Sequence, residues 1–84
     1  MGGIRMYIEV TVDLSRYEGG VFDLRLSDYH TFKKLADIAR EAKGVTRHQR
    51  EGHWVRVTNR NRTYPGHLTM AHCGITSGDR LEIL

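Results

Sequence analysis

Ser27 to Gly44, SDYHTFKKLADIAREAKG, is the one stretch of this 84-residue chain with a sustained helical period. That stretch restricts what the remainder can build. Phe32, Leu35, Ala36, Ile38, Ala39 and Ala42 fall on one side of a helical wheel, and Lys33, Lys34, Asp37, Arg40 and Glu41 on the other. Thr31 is suited to cap the first turn, with Asp28 as a rival one turn earlier. Lys43 complements the negative end of the helix dipole, and Gly44 can take the left-handed conformation that closes a helix. A single helix with one apolar face needs one surface to cover, and the flanking sequence supplies strands. The simplest use of that face is core packing.

Ile4, Met6, Ile8, Val10, Val12 and Leu14 alternate with Tyr7, Glu9, Thr11 and Asp13, which predicts a strand with one buried face. Ser15 to Gly20 ends in a Gly-Gly pair and reads as a turn. Val21 to Leu26 resumes the alternation with Phe22, Leu24 and Leu26 inward, so the two runs form a hairpin. After the helix, Val45 is expected to pack beneath it and Thr46 to His53 to form a polar loop. Trp54 to Thr58 reads as a third strand with Val55 and Val57 inward. Asn59 to Arg62 reads as a turn, and Thr63-Tyr64 as a short edge strand ended by Pro65-Gly66. Leu68 to Cys73 has room for one helical turn. Gly74 to Asp79 is a turn, and Arg80 to Leu84 a last strand with Leu81 and Ile83 inward. Met6 is a candidate start, which leaves residues 1–5 as a flexible N-terminal extension or cloning remnant and 6–84 as a single domain.

Composition narrows the function classes. One cysteine, Cys73, excludes an internal disulfide framework and fits a reducing compartment. No apolar run approaches the roughly 20 residues that span a bilayer. The N-terminus lacks a secretory signal, and position 6 is Met where an acylation motif has Ser or Thr. The expected address is the cytoplasm. Residues 1–43 carry seven basic and seven acidic side chains, whereas residues 44–84 carry six basic against three acidic, so the net charge of +3 lies after the helix. A solvated loop is the simpler reading of Arg47, Arg50, Arg60 and Arg62.

The order strand, turn, strand, helix, strands predicts an α+β fold of the β-grasp (ubiquitin-like) type, a mixed four- to five-stranded sheet packed on one helix. The tail Cys73-Gly74-Ile75-Thr76-Ser77-Gly78-Asp79-Arg80-Leu81-Glu82-Ile83-Leu84 resembles ubiquitin's final loop and strand in spacing. Met6-Tyr7-Ile8, Val21-Phe22-Asp23-Leu24-Arg25-Leu26-Ser27-Asp28-Tyr29-His30, Arg50-Glu51-Gly52-His53-Trp54 and that tail resemble the YukD/EsaB family. These are small ubiquitin-like proteins associated with the type VII secretion systems of Gram-positive bacteria. The resemblance covers nearly the whole chain from Met6 and implies a cytoplasmic protein whose partner is a secretion component.

Ubiquitin is conjugated through a flexible Gly-Gly tail. This sequence ends at Leu84, inside its predicted last strand, so conjugation through the C-terminus is not expected. Ubiquitin's recognition patch uses apolar residues of its third and last strands. By that resemblance Arg56 takes the central third-strand position, replacing an apolar anchor with a charge, and Leu84 keeps the apolar character at the end.

An enzyme finds little support. His72 and Cys73 are adjacent, neighbours rarely aim at one reacting centre, and no third group orients them. The five histidines, His30, His48, His53, His67 and His72, show no zinc spacing with Cys73. Gly19-Gly20 precedes a strand, so it cannot build a phosphate-binding helix terminus. No cofactor is implied. Trp54 and Arg56 share one strand face, and Trp and Arg are the residues that most often anchor interfaces. The expected protein-binding residues are therefore Trp54, Arg56, Leu84 and Arg50. An RNA-binding module needs aromatics interleaved with basic groups, and only Trp54 and Tyr64 qualify, so nucleic acid is disfavoured. The expectation is a non-enzymatic adaptor that docks without covalent attachment. The alternatives are a covalent modifier with a missing tail and, behind it, a small RNA-binding module.

Overall fold

The computed structural model describes residues 6–84. Helix α1 runs from Phe32 to Ala42 and is capped by Thr31, whose Oγ1 accepts the Lys34 N–H at 3.1 Å. Asp28, the rival cap, is instead buried in the preceding turn. There its N–H donates to the Met6 carbonyl and its carbonyl accepts from the Ala71 N–H. Gly44 closes the helix with φ +65°, and the Val45 N–H reaches back to the Arg40 carbonyl at 2.9 Å. Phe32, Leu35, Ala36 and Ala39 face the core, as their period demands.

Among the described residues, five strands form one mixed sheet: β1 (Tyr7–Asp13), β2 (Val21–Ser27), β3 (Val55–Val57), β4 (Arg62–Tyr64) and β5 (Arg80–Ile83), in the order β2-β1-β5-β3-β4. β1 pairs antiparallel with β2 and parallel with β5, and β3 pairs antiparallel with both β4 and β5. This is the expected α+β, ubiquitin-like β-grasp arrangement. Ile8, Val10 and Val12 from β1, Val55 and Val57 from β3, and Leu81 and Ile83 from β5 meet the helix in one core. Among the described residues, sixteen apolar ones lie in that core. At about 0.8 kcal/mol per buried methylene they supply most of what opposes chain entropy in so small a domain.

Several boundaries differ from the sequence expectation. The first strand begins at Tyr7, and Ile4 lies outside the described residues. Met6, placed inward by alternation, is 60% exposed because it precedes the paired segment. Ala42, the last residue of the helix, is exposed too, and the Nζ of the neighbouring Lys43 sits 4.4 Å from the Phe22 ring centre. Thr58 leaves β3 for a 3₁₀ turn, Thr58–Arg60. Within residues 68–73 the expected single turn does form, the Cys73 N–H reaching the Thr69 carbonyl at 3.3 Å and the Met70 carbonyl at 3.1 Å. Ser15–Tyr17 is a 3₁₀ turn that delivers Tyr17 to the core.

Candidate functional site

Because Val55 and Val57 point at the helix, Arg56 between them points away from it, as does Glu82 between Leu81 and Ile83. The two stand opposite each other in the sheet. Arg56 Nη1 lies 3.6 Å from Glu82 Oε1, and Arg16 Nε lies 3.3 Å from Glu82 Oε2. One carboxylate therefore sits between two guanidinium groups on the outer face. Arg56 keeps its predicted position and, among the described residues, shares its one carboxylate partner with Arg16.

Trp54 immediately precedes β3 on the same parity as Arg56, and it is 46% exposed. Its main-chain carbonyl accepts the Leu84 N–H at 3.1 Å and the Gln49 Nε2–H at 3.0 Å. Gln49 is itself buried, so the loop after the helix is pulled onto the sheet just where Trp54 begins. The indole lies against the backbone of Gly52. A Cβ there would stand 2.7 Å from Trp54 Nε1, and Gly52 has φ +88°, so glycine is required twice over.

Tyr17 completes the scaffold. Its hydroxyl donates to the Leu84 main-chain oxygen at 2.7 Å and accepts the Arg50 N–H at 3.0 Å. The ring is 6% exposed, and the Arg47 guanidinium covers it at 4.8 Å. One buried phenol thus fixes the backbone of two predicted site residues. Arg50, Glu51, Trp54, Thr63 and Leu84 surround a shallow hollow of about 310 Å³. Three of the four predicted residues share it, and Arg56 lies beside it on β3. Among the described residues, the Arg50 side chain has no hydrogen bond and no carboxylate partner.

Tyr17, Arg16, Gln49 and Glu82 were not singled out in the sequence. Glu82 was legible from alternation. Tyr17 and Arg16 act across 67 and 66 residues of chain, and no local pattern signals that.

The post-helix arginines do not form one patch. Arg60 binds Asp79 at 2.7 Å and donates to the Gly74 carbonyl and to Thr76 Oγ1, holding the loop before β5. Arg47 donates to the Arg16 carbonyl at 2.6 Å. Arg16, Tyr17, Arg47, His48 and Arg50 border a second hollow of about 430 Å³, which shares Arg50 with the first. Tyr64, one of the two aromatics a stacking platform would need, lies face to face with Phe32 at 5.5 Å and is half-buried.

Cys73 is half-buried against the core, and desolvation pushes its thiol above its ordinary pKa, which disfavours the thiolate a nucleophile needs. Among the described residues no group of three or more His, Cys, Asp or Glu side chains gathers as a metal site. No described helix is long and apolar enough to cross a membrane.

A family model described as "WXG100 protein secretion system (Wss), protein YukD" matches residues 7–83. The ESX secretion system protein YukD of Bacillus subtilis (strain 168) is 57% identical over 79 residues, covering 94% of this chain and 100% of that protein.

Proposed function

Because this chain belongs to the YukD family of the WXG100 protein secretion system, we propose that it is a non-enzymatic accessory protein of a type VII (ESX) secretion system. It acts in the cytoplasm by reversible docking of its outer sheet face on a protein of the secretion machinery. The observation that carries this reading is Trp54, half-exposed yet backed by Gly52, beside a hollow that also holds Leu84 and an Arg50 side chain without a partner among the described residues. A rigid aromatic with an adjacent arginine is the composition of an interface anchor. Leu84 is tied by its N–H to Trp54 and by its oxygen to Tyr17, which supports docking by the folded surface over attachment through that residue.

The test is Trp54→Ala with Arg50→Glu in the native host, read as export of a WXG100 substrate. Far-UV circular dichroism of the purified variant checks the fold. Substrate export falls at least several-fold while the fold is kept. Normal export from the folded double variant would overturn the assignment of this face.

A further inference from the structure

Among the described residues, β2 is the outermost strand on its side of the sheet, and its seven-residue outer edge has no neighbouring strand. The register decides which backbone groups face outward. The Leu14 N–H donates to the Gly20 carbonyl at 2.7 Å and the Asp28 N–H to the Met6 carbonyl at 2.9 Å. In the antiparallel ladder between those ends, Ile8↔Leu26, Val10↔Leu24 and Val12↔Phe22 are the pairs that exchange main-chain bonds. Val21, Asp23, Arg25 and Ser27 therefore turn their N–H and C=O groups away from β1. Among the described residues only the Ser27 carbonyl has another main-chain partner, the His30 N–H at 3.2 Å.

This edge carries little protection against pairing. It has no proline, no lysine and an unbroken register without a bulge. Its two charges, Asp23 and Arg25, are of opposite sign and sit on either side of Leu24.

We infer that a second copy of the chain adds here, β2 against β2, antiparallel about a twofold axis at Leu24. Outward-facing residues must pair with outward-facing residues for a ladder to form. Centring on Leu24 meets that condition, setting Asp23 opposite Arg25 and Val21 opposite Ser27 on both sides of the axis. Centring on Asp23 or on Arg25 also keeps the parity but sets like charges face to face, which destabilises a strand pair. A shift by one residue breaks the parity altogether.

The apolar side chains agree with the same register. On the helix-covered face Leu24 meets its own copy and Phe22 meets Leu26, so the half-buried Phe22 and Leu24 lose their remaining water. On the outer face Val21, 48% exposed, arrives across Ser27 from Tyr7, 61% exposed. Tyr7, Arg25, Leu26, Tyr29 and Ile38 border an open hollow of about 490 Å³ at that end of the strand, which receives the Val21 end of the other copy. β4, the opposite edge, has only three residues and offers no comparable length.

Sedimentation velocity of the full chain, from about 10 µM to about 1 mM, tests the pairing. The expected result is a concentration-dependent monomer–dimer equilibrium. Asp23→Arg and Arg25→Asp each set like charges opposite twice per dimer and raise the dissociation constant about tenfold or more. The double swap D23R/R25D re-creates the pairs and returns it to within about threefold of the native value. Leu24→Cys occupies a non-hydrogen-bonded pair, whose Cα separation of about 4.5 Å suits a disulfide. It cross-links into a dimer on mild oxidation. Circular dichroism of each variant verifies the fold. A chain that stays monomeric at about 1 mM, or a dimer indifferent to both single charge changes, overturns the inference.

Discussion

A methyl group on Gly52 would meet the Trp54 indole at 2.7 Å and would force a side-chain-bearing residue to hold φ +88°. Gly52→Ala is therefore expected to cost about 1–3 kcal/mol in urea unfolding and to displace the indole. Trp54 is the sole tryptophan, so its fluorescence maximum reports that displacement directly. An unchanged spectrum and midpoint would mean the loop relaxes freely. At this scale the sequence was readable where side-chain parity decides position. Trp54, Arg56 and Leu84 lie where alternation puts them, whereas Arg50 sits in the long connection between α1 and β3, whose path no period gives. The phenol of Tyr17 was not readable. It was hidden in a turn, and its partners Arg50 and Leu84 come from two distant parts of the chain.

The elements were legible because each has a clean period and a recognisable stop. α1 ends at Gly44 and starts at Thr31, and the hairpin of β1 and β2 keeps the pairing that its alternating runs imply. What a period cannot state is how far the covering layer extends. Met6 and Ala42 continue their patterns and are nonetheless exposed, one before the paired strand starts and one at the last position of the helix. The loop before β5 shows the opposite case, where irregular chain is fixed by polar groups. Asp79, 4% exposed, accepts from Asn59 at 2.8 Å, from the Thr76 N–H at 2.9 Å and from Arg60. Arg60→Ala leaves that carboxylate short of its charged partner. The expected loss is about 1–3 kcal/mol, with faster hydrogen exchange at residues 74–79 than in α1. Uniform exchange across both regions would show that Arg60 does not hold the loop.

For the molecule as a whole, acid sensitivity has an identifiable contributor. The Ser15 side chain and N–H, with Arg80 and Arg16 nearby, hold the Asp13 carboxyl below its ordinary pKa. A carboxyl lowered in the folded state binds its proton more tightly when unfolded. Its stabilisation is therefore complete above the unfolded value, about 3.9, and is lost as pH falls through the lowered folded one. Asp13→Asn should flatten the stability profile below about pH 4 and leave its shape near neutrality unchanged. A parallel acid limb in the variant would assign the effect to other groups. The same global view links the two surfaces. Pairing through β2 uses the edge farthest from β4, so both copies keep Trp54 and Arg50 open. A dimer would thus present two anchors and gain avidity for any target that offers two matching sites, without new contacts.

The parallel seam between β1 and β5 joins the first described strand to the last, with Thr11↔Arg80 and Val12↔Leu81 side by side at the centre of the sheet. A growing polypeptide that has emerged only as far as the helix owns a hairpin and an apolar stripe but no central strand to lay between them and β3. Native structure has to wait until residues 80–83 clear the ribosome. Until then the β1 flank reserved for β5 is open to any passing extended chain, so translation speed through the final third sets how long the nascent protein depends on chaperone protection.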